Sequence, residues 1–425
     1  MKIVQGVQLH LIKTKRFKTN HITFRFSGDL NQKTVAKRVL VAQMLATANE
    51  CYPTVRQFRE KLARLYGASL LTNVLTKGLV HIVDIDITFI QDRYACNGEK
   101  ILDEMIQFLK DILFSPLLSI AQYQPKVFET EKNNLINYIE SDREDSFYYS
   151  SLKVKELFYC NKNLQMSEYG SPELIAKETA YTSYQEFHKM LNEDQIDIFI
   201  LGDFDDYRVV QLIHQFPLDN RNKNLNFFHL QNSVNIIKES IEKRAVHQSI
   251  LQLAYHFPSV FGQRDYYALV LLNGLLGSFA HSRLFIKIRE EEGLAYSIGC
   301  RFDSYTGLFE IYTGIDSQHR TKTLQLIIQE LNAIKMGRFS EQLIKKTRSM
   351  LLNNALLSED YNKNIIERIY TSSYIDSSYS IKNWIKGVNE VNKADIIKVA
   401  NLLKLQTVYF LEGIQNDKIS KDKLS

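Results

Sequence analysis

The chain has 425 residues, of which 45% are hydrophobic and 24% are charged. This balance is typical of folded globular proteins and excludes disordered and fibrous chains. The net charge of +5 comes from 53 basic and 48 acidic residues that are interleaved along the sequence. Nucleic-acid-binding proteins concentrate their basic residues, so a nucleic-acid partner is not expected. No run of 18 apolar residues occurs, and we therefore expect no membrane-spanning helix.

Strand-like and helical segments follow one another through the first half of the chain. Alternating apolar and polar residues predict strands, and apolar residues three or four positions apart predict helices. The helical pattern is clearest over 101–114. In chain order the predicted elements are strands 7–12 and 21–26, helix 33–50, a second helix in the segment 58–70 that ends at a small-residue break, strand 79–90, helix 101–114 and strand 196–205.

The second half repeats this order of elements. Its predicted elements are strand 249–257, helix 266–279, a helix from 283 to a break at Gly293, strand 307–315, helix 323–334 and strand 407–413. Matching elements lie about 200 to 230 residues apart, which is too long for a solenoid repeat and indicates two related domains. We predict domains at 1–216 and 234–425, joined by the polar linker 217–233. Strands and helices that cluster without strict alternation favour an α+β fold, in which helices pack on one face of a largely antiparallel sheet.

The cysteines and histidines give no sign of a metal site or a disulfide framework. The four cysteines are far apart and form no CxxC pair, which favours a reducing compartment and predicts a cytoplasmic protein. No two of the ten histidines lie within five residues of each other, so neither HExxH nor its inverted form HxxEH occurs. Phosphate-binding glycine motifs are also absent. Ser278 and His281 are neighbours, but no acidic residue that would complete a catalytic triad lies nearby.

One segment, SRLFIKIREEEGLAY over 282–296, combines groups that suit a binding site. Arg289 and Tyr296 stand seven residues apart, and Gly293 is expected to end the helix between them. The residues alone leave two interpretations open. Arg289 would pair with Glu292 at the surface while Tyr296 packs on a sheet, or both side chains would serve a site.

The segment LLNGLLGSFAHSRLFIKIREEEGLAYSIG resembles the C-terminal-half signature of the M16 peptidases, a family that includes insulinase, pitrilysin and the mitochondrial processing peptidases. RVLVAQMLATANECYPTVRQFREKLARLYGASL and VFETEKNNLINYI are similar to the first-half segments that carry the zinc ligands in active members, and ILGDFD to the strand that closes the first domain. The resemblance covers nearly the whole chain. It implies two homologous domains joined as a clam-shell.

The ligand positions of that family carry other residues in this chain. The resemblance places the two ligand histidines at Val39 and Gln43, the general-base glutamate at Ala42 and the third ligand at Tyr138, with Glu131 kept two turns earlier. Without ligands no metal-bound water of lowered pKa forms, and without the glutamate no base activates it. We therefore expect no zinc or other cofactor in this chain and no peptide hydrolysis by the chain alone.

Arg289 and Tyr296 match the family residues that contact the substrate backbone and the oxyanion of the tetrahedral intermediate. Some bacterial M16 pairs divide the labour, with zinc in one subunit and the Arg/Tyr pair in the other. The resemblance thus implies a non-catalytic subunit of a heterodimer, with a zinc-bearing M16 homologue as partner and a peptide as substrate. The alternative is an inactive scaffold that binds a peptide or protein. A third hypothesis is a protein that binds nucleic acid or a membrane surface, and the low net charge disfavours it.

Overall fold

The computed structural model describes residues 1–258 and 261–414. The chain divides into two compact units. Unit 1 comprises Met1–Glu140 and Met166–Asn226, and unit 2 comprises Ser141–Gln165 and the chain from Phe227 onward. The predicted linker 217–233 has no regular secondary structure, and unit 2 begins within it. The predicted domain end at residue 425 lies outside the described residues.

Unit 1 is built on a six-stranded sheet with the order β1-β2-β6-β3-β5-β4. Its strands are β1 (Lys2–Val4), β2 (Val7–Lys13), β3 (Thr19–Asp29), β4 (Ser69–Lys77), β5 (Val80–Ile90) and β6 (Gln195–Gly202). Neighbouring strands are antiparallel except β2 and β6, which are parallel. Alternate residues of β3, namely Ile22, Phe24 and Phe26, enter the hydrophobic core.

Helices complete that core. Those with residues in unit 1 are α1 (Val35–Leu45), α2 (Val55–Arg64), α3 (Ile101–Phe114), α4 (Pro125–Asp142), α6 (Pro172–Ala176), α7 (Ala180–Glu193) and α8 (Asp206–Ile213). Eight of the fourteen residues of α3 are buried, as its amphipathic period predicts. The order of elements and the antiparallel sheet confirm the predicted fold class.

Unit 2 has a five-stranded sheet with the order β7-β11-β8-β10-β9, in which only β7 and β11 are parallel. Its strands are β7 (Lys238–Arg244), β8 (Ser249–His256), β9 (Ala295–Asp303), β10 (Leu308–Ile315) and β11 (Lys404–Gly413). Its helices are α5 (Ser146–Phe158), α9 (Arg264–Asn273), α10 (Arg320–Lys335), α11 (Glu341–Ser358), α12 (Asn362–Tyr374), α13 (Ile381–Glu390) and α14 (Lys393–Leu402). Two π-helical segments, Gly274–Ser278 and Phe285–Glu291, follow α9.

Helix α5 packs on the opposite face of the unit 2 sheet from α9 and α14, whereas the sequence predicted helices on one face. In β8, Leu251 and Leu253 join the core beneath α9 and α14. The intervening Gln252 points the other way and donates from Nε2 to the carbonyl oxygen of Phe147 in α5 at 3.2 Å. Residues 141–165 therefore belong to unit 2, although the unit 1 segment Met166–Asn226 separates them in the sequence from the rest of that unit.

Helix α1 ends at Leu45, earlier than the end predicted at residue 50. The helix predicted over 58–70 begins at Val55, where the Thr54 side chain accepts from the Gln57 N–H, and it ends at Arg64. Tyr66 and Gly67 then adopt φ values of 58° and 70°, which a continuing α-helix excludes. The helix therefore ends at the predicted break, and strand β4 begins at Ser69. None of the helices in 1–258 and 261–414 has the length and apolar character needed to cross a bilayer.

Candidate functional site

A cavity of about 510 Å³ opens in unit 1 where α1, α4 and β4 meet. It is lined by Ala42, Gln43, Thr72, Asn73, Val74, Glu131, Asn134, Leu135, Tyr138 and Tyr169. The spacing along α4 explains its contribution, since Glu131, Leu135 and Tyr138 follow at i, i+4 and i+7 and share one helix face. The cavity is the place to which the structure brings the predicted metal-site positions.

Three of the four degenerate positions line this cavity. Ala42 and Gln43 reach it from the last turns of α1, and Tyr138 reaches it from α4 together with the retained Glu131. Val39 does not line it and is fully buried in the hydrophobic core of unit 1. The family resemblance assigns Ala42, Gln43 and Tyr138 to one site, although about 95 residues separate α1 from Tyr138. These three residues lie together in the structure, and Val39 does not.

The cavity lining does not suit a zinc ion. A zinc site needs at least three imidazole, thiolate or carboxylate ligands, and Glu131 is the sole such group in the lining. Across residues 1–258 and 261–414, no cluster of three or more His, Cys, Asp or Glu side chains is arranged to hold a metal. The remaining polar groups are amides and hydroxyls. This lining therefore supports no metal-dependent step.

A buried polar network fixes α1 beside the cavity. Arg38 donates from Nε to His81 Nδ1 at 2.9 Å and from Nη1 to Asp194 Oδ2 at 2.7 Å. His81 Nε2 lies 2.9 Å from the carbonyl oxygen of Glu168. Because Nδ1 accepts, the ring is neutral with its proton on Nε2. Burial, together with the Arg38 charge, lowers the pKa of His81 to about 3.

The second predicted site, Arg289 and Tyr296, lies in unit 2. Arg289 belongs to the π-helical segment Phe285–Glu291, and Tyr296 is the second residue of β9. Between them Gly293 adopts a φ of +61°, so the helix ends at this glycine as the sequence predicts. The guanidinium carbon of Arg289 is 5.6 Å from the centre of the Tyr296 ring and 4.7 Å from that of Phe285. The chain turn therefore stacks the arginine on two aromatic rings.

The interpretation that Arg289 pairs with Glu292 and that Tyr296 packs on a sheet is wrong for both residues. Glu292 pairs with Lys322 at 2.7 Å and with Lys287 at 3.3 Å, and the carboxylate nearest Arg289 is that of Glu290 at 3.6 Å. Tyr296 is 80% exposed and does not pack on the sheet. Arg289 and Tyr296 therefore stack on each other at the surface. The guanidinium and the phenol hydroxyl are hydrogen-bond donors that a ligand can reach.

Both sites lie beside the edge of a sheet. Among the described strands, β4 ends the order of the unit 1 sheet and β9 ends that of the unit 2 sheet. β4 supplies Thr72, Asn73 and Val74 to the cavity, and β9 carries Tyr296. An edge strand presents main-chain N–H and C=O groups that another extended chain can pair with.

Ser278 and His281 do not form a catalytic pair. The Ser278 hydroxyl accepts from Asn273 Nδ2 at 2.8 Å, whereas His281 Nε2 lies 3.0 Å from the Thr347 hydroxyl. The His281 ring stacks on Phe279 with centroids 5.3 Å apart. Their roles are local contacts in unit 2.

Comparison with known proteins gives one family match and several relatives along the whole chain. The family described as "Peptidase M16 inactive domain" matches residues 181–351. The "Probable inactive metalloprotease YmfF" of Bacillus subtilis (strain 168) is 28% identical over 412 residues, which are 96% of each chain.

Two solved structures share the fold over nearly the full length. The "conserved protein" from Enterococcus faecalis V583 is 35% identical, with 98% of each chain covered and a TM-score of 0.93. The "peptidase M16 inactive domain" from Pseudomonas fluorescens is 15% identical, with 96% of each chain covered and a TM-score of 0.78. At 15% identity the second likeness concerns the fold alone.

Proposed function

The chain belongs to the M16 peptidase family, and we propose that it is the non-catalytic subunit of a heterodimeric peptidase whose zinc is carried by a partner of the same family. The observation that supports this role is the exposed, stacked pair Arg289 and Tyr296, combined with a cavity in which Glu131 is the one potential metal ligand. A chain with these donor groups but too few metal ligands has a use where another subunit supplies the hydrolytic centre.

The chemistry assigned to the pair is electrostatic. The Tyr296 hydroxyl and the Arg289 guanidinium donate hydrogen bonds to a peptide carbonyl oxygen and, more strongly, to the negative charge that develops on it. Stacking of Arg289 on Phe285 and Tyr296 limits the rotamers of the guanidinium. Donors held in this way need little reorganisation when charge develops.

The test is peptide cleavage by the complex with a zinc-bearing M16 homologue from the same organism. We expect Tyr296→Phe and Arg289→Ala each to lower kcat by about 10²- to 10³-fold, the effect of removing an oxyanion donor. Tyr361→Phe and Arg56→Ala are matched controls, because these exposed side chains lie far along the chain from the pair. Light scattering establishes that every variant still associates with the partner. Cleavage that is unchanged in both site variants would contradict the proposed role.

A scaffold that binds peptides without hydrolysis is the second candidate. The cavity of unit 1 beside the edge strand β4 favours it, because strand addition there would hold an extended peptide. This role predicts peptide binding by the chain alone and no effect of Tyr296→Phe on cleavage by any partner.

We also place the protein in the cytoplasm. All four cysteines are unpaired thiols, and Cys51, Cys96 and Cys160 are exposed. Exposed unpaired thiols are compatible with a reducing compartment. Thiol labelling of the protein in intact cells, compared with labelling after lysis, tests this assignment.

A further inference from the structure

We infer that the cavity between α1, α4 and β4 binds the positively charged side chain of a peptide, a lysine ammonium or an arginine guanidinium group. This inference rests on the peptide-binding part of the proposed function and does not depend on a zinc-bearing partner. It gives the degenerate metal position a ligand chemistry of its own.

The charge of the lining is the first reason. Glu131 is the one charged side chain among the ten residues that line the cavity. Its carboxylate makes no hydrogen bond or ion pair with another residue of the described chain. The adjacent Lys132 turns away, with Nζ 2.9 Å from the carbonyl oxygen of Glu178 and 3.7 Å from Glu129. The cavity therefore carries an uncompensated negative charge, and low-dielectric walls strengthen its attraction for a cation.

The neutral groups of the lining suit the same ligand. Gln43 and Asn134 offer amide oxygens that accept hydrogen bonds from N–H donors. The rings of Tyr138 and Tyr169 meet edge to face with centroids 5.8 Å apart. An aromatic face stabilises an ammonium or guanidinium group placed over it. A carboxylate, acceptor amides and aromatic faces together recognise an organic cation.

The position of β4 indicates that the cation belongs to a peptide. The volume of about 510 Å³ lies in the range of small-molecule sites and accommodates a lysine or arginine side chain. Asn73 is held by its Nδ2 hydrogen bond to Asp86 Oδ2 at 2.7 Å, so this part of β4 is fixed beside the cavity. A peptide paired with the β4 edge would direct alternate side chains toward that side of the sheet.

The experiment measures peptide binding to the full-length chain alone by isothermal titration calorimetry. The probes are acetylated and amidated pentapeptides Ala-Ala-Xaa-Ala-Ala in which Xaa is lysine, arginine, norleucine or glutamate. We expect the lysine and arginine peptides to bind at least about 10-fold more tightly than the norleucine peptide, with a difference that shrinks at high salt. Equal affinities for lysine and norleucine, or no detectable binding of any probe, would overturn the inference.

Two variants locate the effect. Glu131→Gln keeps the shape of the side chain and removes its charge, and it should abolish the preference for lysine over norleucine. Glu140→Gln removes the same charge from the same helix outside the cavity, and it should keep the preference. A preference that survives Glu131→Gln would assign the cation to another surface. If the natural chain binds one zinc ion and Glu131→Gln binds none, the cavity is a metal site. Either this result or a lysine preference that survives Glu131→Gln would overturn the inference. Because no partner is present, failure here leaves the cleavage test of Arg289 and Tyr296 intact.

Discussion

Gln43 and Tyr138 show how individual side chains set the chemistry of the cavity in unit 1. Both reach the cavity that also contains Glu131. A neutral amide and a phenol are weak ligands for zinc, and a single carboxylate does not hold the ion. The fold provides the place, and the residues at it decide which ligand fits.

The purified chain should accordingly contain little zinc, below about 0.1 ion per chain, since three protein ligands are required for a stable site. Elemental analysis after dialysis against micromolar zinc measures this content. The double variant Gln43→His with Tyr138→Glu adds an imidazole and a carboxylate beside Glu131, and we expect it to take up more zinc than the natural chain. One zinc ion per natural chain would show that the assignment of ligand positions is mistaken.

At this scale the sequence predicted which residues lie close together, with one exception, but not all of their surroundings. Ala42, Gln43 and Tyr138 converge as the resemblance implied, whereas Val39 lies in the core. The Arg38 network was not predicted, because its partners His81 and Asp194 lie 43 and 156 residues away. A lone arginine inside an apolar helical run was the available signal, since a buried arginine requires a partner.

The position of α1 depends on interactions between elements. Arg38 links α1 to His81 in β5 and to Asp194 at the end of α7. His81 in turn reaches the segment around Glu168 that precedes Tyr169. The cavity wall and this buried network therefore share one helix, and protonation of His81 would disturb both.

The free energy of unfolding should depend on pH through His81. In the folded chain the pKa of this histidine is about 3, whereas in the unfolded chain it is about 6.5. Between about pH 6.5 and pH 3, His81 binds a proton in the unfolded state but stays neutral in the folded state. The free energy of unfolding therefore falls as the pH falls through this range. Between pH 7 and pH 5 we expect this group to cost about 2 kcal/mol.

The comparison of the natural chain with His81→Gln isolates that contribution. Urea unfolding at several pH values should show the stability advantage of the natural chain shrinking between pH 7 and pH 5. Parallel pH profiles for the two proteins would mean that His81 takes up its proton in the folded state as readily as in the unfolded one.

The whole molecule consists of two units, and unit 2 takes residues from both sides of the predicted linker, since it includes the earlier segment Ser141–Gln165. The repeated order of elements predicted two related halves, because hydrophobic periodicity is a local property of the sequence. The exchange of residues 141–165 into unit 2 was not predictable in that way. It depends on contacts of α5 with strands about 100 residues later, such as Tyr149 Oη donating to Glu242 Oε1 at 2.7 Å.

Helix α5 makes a large part of its contacts with the unit 2 sheet. Val154 is fully buried and Phe158 is 3% exposed. Arg301 donates from Nη2 to Ser151 Oγ at 2.6 Å, and the Arg244 guanidinium carbon lies 4.1 Å from the centre of the Tyr149 ring. Burial of Val154 and Phe158 contributes about 1.5 to 3 kcal/mol each, so loss of the helix would remove a large part of the roughly 5 to 15 kcal/mol that stabilises a domain.

A fragment of residues 227–425 should therefore fold poorly, although it contains every strand of the unit 2 sheet. Joining 141–165 to its N-terminus through a Gly/Ser linker should restore a cooperative thermal transition, because α5 then covers the second face of β8 and β11. The same fusion with Val154→Asp and Phe158→Asp is the control, since both charges would have to be buried against the sheet. Circular dichroism melting curves distinguish the three fragments. If the fragment without 141–165 melts as cooperatively as the fusion, α5 does not stabilise unit 2. The two units could then be divided at residue 227.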